Sequence, residues 1–283
     1  MYIKSFQKRN GLFKDELLSL TSLPLRITGF LRHPDLQALS GAAILLAETR
    51  QAIATLELFG EMPKYTYARV PNNKTEVQKF IDRLDWSRPW GAGSHFSHLL
   101  FFLKRSLFTN KEELINAAIE IVNNLRNHDG FWYRGYTDEA QKINGAMKII
   151  TGLKAADRLS FSDGEQMVDL CLNAINNRNA CDNFNIVYVL KYAWEQSGKV
   201  YRTDDIQRFM RKRLQMCREY YYPQSGGFSF RKGKTNCIYY NSPVARAKYE
   251  PDIHGTVMFL WGISIIAIVL GLENKLGFRE FTP

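Results

Sequence analysis

The chain has 283 residues, of which 45% are hydrophobic and 23% are charged. These fractions are ordinary for a soluble globular protein, and they exclude a disordered chain, a collagen and a multi-span membrane protein. Lysine and arginine number 38 against 28 aspartates and glutamates, which gives a formal net charge of +10. This excess favours an anionic partner, and a basic solvated surface without a ligand is the alternative.

Cysteine spacing and the N-terminal segment bear on the cellular compartment. The four cysteines form no CxxC pair, which argues against a zinc ribbon and against a thioredoxin motif. The N-terminal segment contains no apolar run of signal-peptide length. We therefore expect reduced thiols and a cytoplasmic protein.

Five mainly apolar helical segments recur along the chain, and each begins with a small or polar residue. These segments predict inner helices over 49–58, 94–103, 144–153, 183–192 and 254–263. Amphipathic helices, with apolar residues at i, i+3 and i+4, are predicted between them over 74–84, 111–126, 163–177 and 203–220. Because a helix that is apolar nearly all round must be buried, we expect two layers with the apolar helices inside. Apart from a short hairpin predicted near 228–240, no strand pattern appears.

Three short motifs stand at or before inner helices. They are Asp129-Gly130-Phe131-Trp132, Gly226-Gly227-Phe228 and Asp252-Ile253-His254-Gly255-Thr256. With these motifs and its repeated helices, the stretch 40–275 resembles the α/α toroid of terpenoid cyclases and protein prenyltransferase β-subunits. Six-hairpin glycosidases and toroid polysaccharide lyases are similar. The resemblance implies an all-α fold, an α/α toroid (a complete or incomplete α/α barrel) of repeated helical hairpins.

Repeats that share one core form one domain rather than two. We expect a single toroid domain over 1–283, with an N-terminal helical extension over 1–40 and an inserted loop over 223–251. The chain departs from the terpenoid families because it has neither a DxDD acid motif nor a DDxxD metal motif. Its Asp169-Leu170-Cys171 sequence falls within a predicted outer helix, where it is poorly placed for the prenyltransferase zinc set.

The segment 256–272 carries no charged residue over its whole length. About 17 apolar residues is the lower limit for a helix that crosses a membrane. Since the segment also falls into the repeat series, we predict a buried helix and no membrane span. An isolated apolar helix on the outside of the structure would instead indicate a membrane role.

Polar residues at the starts of the inner helices, and in the loops before them, are unusual against an apolar background. A toroid would place them at the mouth of one cavity. The candidates at helix starts are Ser94, His95, His98, Asp138, Glu139, Lys142, Asn144, Asp182, Asn183, Asn185, Asp252 and His254. The alternative is helix capping, worth about 1 kcal/mol per residue, for which Asn144, Asp182 and Asp252 are suitable types.

Two catalytic schemes use these residues. Asp182 and Asp252, from different repeats, could supply the paired carboxylates of glycoside cleavage. Alternatively, a lyase could abstract the proton beside a uronate carboxylate and neutralise that carboxylate with basic residues. The catalytic candidates are therefore Asp182, Asp252, His254, Asn144 and Tyr136. The candidates for substrate binding are Arg134, Lys142, His95, His98, Trp90, Trp132, Arg231 and Arg246.

His95 and His98 are three residues apart and therefore lie on one helix face. Joined by Asp252 or His254 they could bind zinc, which takes three or four nitrogen, oxygen or sulfur ligands. The alternative is that each imidazole bonds a nearby carbonyl oxygen. We expect no cofactor and keep these two histidines as weak zinc candidates.

The longest gap between inner helices holds an irregular segment over 230–251 with five basic residues. Long loops of this kind are more often functional than filler. We expect it to border the cavity mouth, with Arg231, Lys232 and Arg246 facing an anion. A second basic run, at 208–213, falls on a predicted outer helix without alternating aromatics, so we expect no nucleic-acid partner.

These features lead to three hypotheses of different classes. The first is a carbohydrate-active hydrolase or lyase acting on an acidic sugar or glycan in a central cavity. The second is an enzyme acting on a prenyl diphosphate, as in the terpenoid cyclases and prenyltransferases. The third is a non-catalytic binding or assembly protein whose polar residues only cap helices.

Overall fold

A computed structural model describes residues 2–16, 22–32, 41–239, 242–246 and 248–279. The protein is mainly helical, with 59% helix and 5% strand, which confirms the all-α class. The N-terminal extension predicted over 1–40 and the inserted loop predicted over 223–251 lie only partly within the described residues.

Helices dominate the described chain in an order close to the predicted one. They are α1 (Leu23–Arg32), α2 (Ala42–Leu58), α3 (Lys74–Asp82), α4 (Pro89–Lys104), α5 (Lys111–Asn123), α6 (Glu139–Ala155), α7 (Gly164–Asn173), α8 (Ala180–Gln196), α9 (Thr203–Cys217), α10 (Ile253–Val269) and α11 (Glu273–Leu276). Short 3-10 turns at Tyr2–Phe6 and Arg218–Tyr220 complete the helical part.

The strands form two very small antiparallel hairpins. In the first, β1 (Tyr221–Tyr222) pairs with β2 (Gly227–Phe228), and in the second, β3 (Ile238–Tyr239) pairs with β4 (Ser242–Pro243). The single hairpin predicted over 228–240 is therefore wrong. Phe228 pairs backwards with Tyr221 across the turn that contains Gly226 in a left-handed conformation.

The inner helices begin earlier than the sequence pattern predicted, because the capping residues lie upstream of the first apolar turn. Asp138 caps α6 and Asn179 caps α8, each accepting a hydrogen bond from a backbone N–H in the first turn. The prediction of capping is wrong for Asn144 and Asp182, which lie inside these helices. It is right for Asp252, whose side chain accepts from Gly255 N at 2.8 Å.

Consecutive apolar helices pack side by side in the order α2, α4, α6, α8 and α10. The amphipathic helices lie against them, with α5 on α4, α7 on α8 and α9 on α10. The contact of α4 with α6 depends on glycines, since a Cβ at Gly145 would lie 2.7 Å from Pro89 and one at Gly152 would lie 2.8 Å from Ser97. This packing brings the first turns of neighbouring apolar helices close together.

The charge-free segment 256–272 lies mostly within α10, which packs against α8 and α9. Its buried side includes Phe259, Ile265 and Ile266. Among the residues that the structure describes, no helix is both long enough and apolar enough to cross a membrane. The segment is therefore part of the helical core rather than an isolated apolar helix.

Candidate functional site

A cavity of about 220 Å³ lies between four of the apolar helices. Its wall consists of Ile44, Ala47, Glu48, Arg50, Gln51 and Ala54 from α2, Ser94 and His98 from α4, Met147, Lys148 and Thr151 from α6, Tyr239 and Val244 from the second hairpin, and Trp261 from α10. The first and last apolar helices thus meet at one cavity, and the second hairpin borders it.

Two basic side chains line the cavity. The Arg50 guanidinium donates a hydrogen bond to Ser97 Oγ at 2.6 Å and lies 5.2 Å from the centre of the Phe101 ring. Lys148 is partly buried, and within the described part of the chain its ammonium group has neither a hydrogen-bond acceptor nor a carboxylate partner. A partly buried cation without a counter-ion is unusual, because removing a charge from water is costly unless it is paired.

Two buried nitrogen atoms in the cavity wall also lack hydrogen-bond partners among the described residues. They are Nδ1 of His98 and Nε1 of Trp261. Most buried polar atoms in proteins are hydrogen-bonded, and the exceptions call for an explanation such as a ligand or an ordered water. Within the described residues, the wall of this cavity therefore contains two unsatisfied nitrogen atoms besides the unpaired ammonium group of Lys148.

Two titratable side chains of the cavity wall, His98 and Glu48, have pKa values that differ from those in water. Burial, followed by the charges of Arg50, His95 and Lys148, lowers the pKa of His98 well below its usual range, so the imidazole is neutral. Burial, followed by repulsion from Asp15, raises the pKa of Glu48 to about 7. With two cations against a partly protonated carboxyl group, the wall is net positive at neutral pH.

His254, predicted as catalytic, begins α10 next to Cys181 at the start of α8. The Cys181 Sγ atom lies 3.4 Å from His254 Nε2, and Nδ2 of Asn236 lies 2.8 Å from His254 Nδ1. The imidazole is held between the Phe230 ring, stacked at 4.6 Å, and the Tyr239 ring, edge-on at 4.9 Å. Because Tyr239 lines the cavity, this thiol–imidazole–amide group adjoins the cavity wall.

Asp252 organises the backbone around this group. Besides capping α10, its Oδ2 atom accepts hydrogen bonds from Phe230 N at 2.8 Å and from Asn236 N at 3.0 Å. Gly255 lets the same loop lie directly on the first turn of α10, since a Cβ there would come within 2.5 Å of Phe230 N. Asp252 therefore positions the loop and is not a cavity-lining carboxylate.

Asp182 and Asn144 lie in a buried amide cluster between α6 and α8. The Asp182 carboxylate accepts from Asn144 Nδ2 at 3.0 Å, Arg178 Nε at 3.0 Å and Asn179 Nδ2 at 3.2 Å. Asn144 Oδ1 in turn accepts from Asn176 Nδ2 at 3.1 Å and from Asn185 Nδ2 at 2.8 Å. Since Asp182 and Asn144 are fully buried with every oxygen bonded, they lock the two helices together.

The structure therefore corrects the expected convergence. Of the six residues predicted to open onto one cavity, only His98 lines the cavity described here. The His95 ring lies edge-on to the His98 ring, with 6.4 Å between the ring centres. The other four form the amide cluster or the group around His254. Their polar types reflect helix-to-helix contacts rather than a shared opening.

Ser94, a further predicted residue, also lines the cavity, whereas the residues predicted for catalysis or substrate binding that remain lie off its wall. Tyr136 is 96% exposed, and Arg134, Arg231 and Arg246 are exposed. Others have partners elsewhere: Lys142 Nζ lies 2.8 Å from Asp129 Oδ2, Trp90 N donates to Gln141 Oε1 at 3.3 Å, Trp132 is buried beneath the Arg126 guanidinium, and Lys232 pairs with Glu219. The inserted segment does reach the cavity, but through Tyr239 and Val244 rather than through its basic residues.

Metal binding finds no support from grouped ligands. Within the described part of the chain, no three or more His, Cys, Asp or Glu side chains are placed to hold one ion. His95 and His98 are not joined by Asp252 or His254, because those two residues face the loop and Cys181.

Sequence reasoning found Ser94 and His98 but missed the charged residues that line the cavity. Glu48, Arg50 and Lys148 are charged residues inside otherwise apolar helices, and this contrast was the available signal. Cys181 directly precedes Asp182, at the start of an inner helix that the apolar pattern predicted. Asn236 gave no signal, because its role depends on how the loop folds back onto α10.

Comparison with known proteins adds no assignment, since no family model, curated protein or solved structure matches the chain. The function is therefore argued from the geometry and chemistry of the site.

Proposed function

We propose that the protein is a carbohydrate-active enzyme that binds a small acidic sugar in the cavity between α2, α4, α6 and α10. The observation that carries this proposal is the ammonium group of Lys148, which lines the cavity without a partner in the described chain. An anionic group of the ligand supplies the missing counter-ion.

The charges of the wall support an anion. Arg50 and Lys148 contribute two positive charges, whereas Glu48 is partly neutralised because burial raises its pKa to about 7. A charge-assisted hydrogen bond to a carboxylate in such a site is worth about 1.5–3 kcal/mol. His98 and Trp261 provide further polar atoms for the hydroxyl groups of a sugar.

The size of the cavity favours a compact ligand. At about 220 Å³ it is smaller than the range of roughly 300–1,000 Å³ that is usual for pockets holding drug-sized ligands. A single sugar acid suits this volume better than an oligosaccharide or a fifteen-carbon prenyl chain. The prenyl-diphosphate alternative is thus less well supported than the sugar.

We also propose that the apolar helices form an incomplete α/α toroid around the cavity, as the resemblance to terpenoid cyclases, six-hairpin glycosidases and toroid lyases implies. The side-by-side order of the five apolar helices supports this arrangement, as does the meeting of α2 and α10 at one cavity.

The number of carboxyl groups in the cavity wall bears on the reaction type. Glycoside hydrolysis uses two carboxyl groups that flank the scissile bond. Glu48 is the one carboxyl group among the described residues that line the cavity. This favours a hydrolase that works through another nucleophile, or a lyase, over the paired-carboxylate scheme.

Thermal unfolding in the presence of candidate ligands tests the proposal. A ligand that binds only the folded state stabilises it by a free energy of RT ln(1+[L]/Kd). The midpoint of thermal unfolding rises as a result. We expect D-glucuronate to raise the midpoint and D-glucose, which lacks the carboxylate, to leave it unchanged. A shift with farnesyl diphosphate but not with D-glucuronate would support the prenyl alternative and refute the sugar proposal.

A further inference from the structure

The Cys181 thiol, the His254 imidazole and the Asn236 side-chain amide lie in a row in space, next to the cavity wall. Cys181 Sγ is 3.4 Å from His254 Nε2, and His254 Nδ1 is 2.8 Å from the side-chain amide of Asn236. A nucleophile within reach of a base, with the base oriented by a third group, is the geometric signature of covalent catalysis. Apo sites commonly show a slightly long distance between nucleophile and base.

The amide can set the tautomer that this chemistry needs. The structure places Asn236 Nδ2 2.8 Å from His254 Nδ1, and a half-turn of the side-chain amide exchanges Nδ2 for Oδ1 at that position. In the turned orientation Oδ1 accepts from Nδ1–H of His254, and Nε2 is left free to accept the thiol proton. The Phe230 and Tyr239 rings pack on the face and the edge of the imidazole, which restricts its rotation. Asp252 fixes the Asn236 backbone through a 3.0 Å hydrogen bond, so Asn236 and Asp252 are positioning residues.

Two residues connect this group to the cavity. Tyr239 lines the cavity and packs against His254. Lys148 also lines the cavity. Burial raises the pKa of Cys181 and lowers that of His254, and the charge of Lys148 makes a smaller downward contribution to both pKa values. We expect a ligand whose acid group binds Lys148 to present its acyl group towards Cys181.

We propose that Cys181 is the nucleophile of an acyl-transfer step, with His254 as general base, that hydrolyses an acyl ester carried by the acidic sugar. The identity of the sugar rests on the function proposed above, whereas the thiol chemistry rests on the geometry of Cys181, His254 and Asn236. Cys181 is partly buried and is not itself part of the cavity wall, so only a carbonyl group that enters the space beside the thiol can be attacked.

The step balances without a cofactor. The Sγ–H proton passes to His254 Nε2 while the sulfur atom forms a bond to the ester carbonyl carbon. The tetrahedral intermediate then collapses, the bond from carbon to the sugar oxygen breaks, and His254 returns the proton to that oxygen. Water, activated by His254, next cleaves the thioester, which releases a carboxylic acid and restores the thiol.

The resting state of the pair is neutral. Burial raises the pKa of the Cys181 thiol to about 12, and burial also lowers the pKa of His254. A neutral imidazole beside a protonated thiol is the starting state for general-base activation rather than for a preformed ion pair. The thiol is thus unreactive until a carbonyl group is in place.

The first turn of α8 can stabilise the developing negative charge. Asn179 caps this helix by accepting from Asp182 N, and Ala180 N donates to Phe230 O. The backbone N–H of Cys181 has no acceptor among the described residues and belongs to a helix N-terminus, where oxyanions are favoured.

Acetyl transfer from p-nitrophenyl acetate to the full-length protein tests the proposal. Release of p-nitrophenolate gives the acylation rate, and peptide mass mapping of the quenched protein locates the acetyl group. We expect acetylation of Cys181, abolished in Cys181→Ser and slowed by about a hundredfold in His254→Gln, in line with the loss of a general base. Cys237→Ala, which removes the other partly buried thiol, is the matched control and should react at the wild-type rate.

The role of Asn236 has a separate readout. Asn236→Ala should slow acylation by about tenfold, without changing the probe concentration at half-maximal rate or the thermal midpoint. A purely structural residue would instead lower the midpoint.

Acetylation of Cys237 or of lysines with Cys181 unmodified in the wild-type protein would overturn the proposal, as would an unchanged Cys181 rate in a folded His254→Gln variant. The probe is neutral and needs no anion site. Acetylation of Cys181 without any binding of D-glucuronate would therefore refute the sugar proposal alone, and uronate binding without acetylation would refute the thiol proposal alone.

Discussion

The amide cluster around Asp182 and the cavity wall around Lys148 are built from the same helices and similar residue types, yet they differ in how their polar atoms are satisfied. In the cluster, the Asp182 carboxylate accepts three hydrogen bonds and Asn144 is bonded at both side-chain atoms, while Oδ1 of Asn176 has no partner among the described residues. In the wall, the Lys148 ammonium, His98 Nδ1 and Trp261 Nε1 have no partner in the described chain.

This difference separates structural from functional polarity. A buried network whose carboxylate and amide groups are bonded to one another stabilises a unique packing of helices. Buried polar groups without a partner cost free energy, and a ligand that bonds to them removes that cost. The comparison predicts a large loss of stability when Asp182 is removed from the cluster and little change when Lys148 is removed from the wall.

The largest expected effect is on stability and follows from the cluster. Asp182→Ala leaves the buried Asn144 amide and Asn179 without their acceptor and breaks the pair with Arg178. We expect the free energy of unfolding to fall by about 3 kcal/mol, because buried groups are left unpaired. Chemical denaturation followed by circular dichroism measures it.

The control for this prediction is Asp169→Asn, which changes a half-exposed carboxylate paired with Arg202. Exposed pairs contribute about 1 kcal/mol or less, so this variant should lose little stability. Equal losses in the two variants would show that the cluster has no special structural role.

Glu48 gives a smaller effect that depends on pH. Its pKa is about 7 in the folded protein against 4.5 in the unfolded chain, so the folded state binds the proton more tightly. The contribution of Glu48 favours folding below pH 4.5 and is lost as the pH rises through 7. Glu48→Gln should therefore be more stable than the wild type at pH 8, by about 1 kcal/mol for this half-buried group.

The advantage of Glu48→Gln should shrink as the pH falls towards 4.5. Thermal or urea unfolding of both proteins at pH 5 and pH 8 measures the difference. A stability difference that is the same at both pH values would mean that Glu48 titrates as it does in water.

Lys148→Met should change the stability of the free protein by less than about 0.5 kcal/mol, since the ammonium group makes no bond that the substitution breaks. Lys142→Met is the matched control, because it removes a lysine that is paired with Asp129 on the same helix. Urea unfolding without ligand compares the two. A loss for Lys148→Met as large as that for Asp182→Ala would assign Lys148 to the structural network.

Charge reversal in the inserted segment should have the smallest effect. Arg231 and Arg246 are exposed and do not line the cavity. Arg231→Glu and Arg246→Glu should weaken uronate binding by no more than about twofold, and 0.5 M salt should remove the difference, because exposed charges are screened. A tenfold loss that persists at high salt would restore the anion clamp expected from the sequence.

The sequence predicted the helices well because their apolar and amphipathic periods differ clearly. It placed the start of α8 several residues late, because the cap at Asn179 precedes the apolar run. It could not show that Asp182 is structural and that Lys148 lines a cavity. Whether a buried polar side chain finds a hydrogen-bond partner depends on atoms from other helices. His98 and His254 were found from residue type alone, whereas Asn236 required the folded loop.

Calorimetric titration of D-glucuronate into the wild-type protein and into Lys148→Met tests most directly whether the unsatisfied cavity wall is a binding site. The expected result is binding to the wild type and at least about tenfold weaker binding to Lys148→Met, equivalent to about 1.4 kcal/mol. D-Glucose should bind neither protein detectably. Equal affinity of the two proteins for D-glucuronate, or no binding to the wild type, would contradict the account.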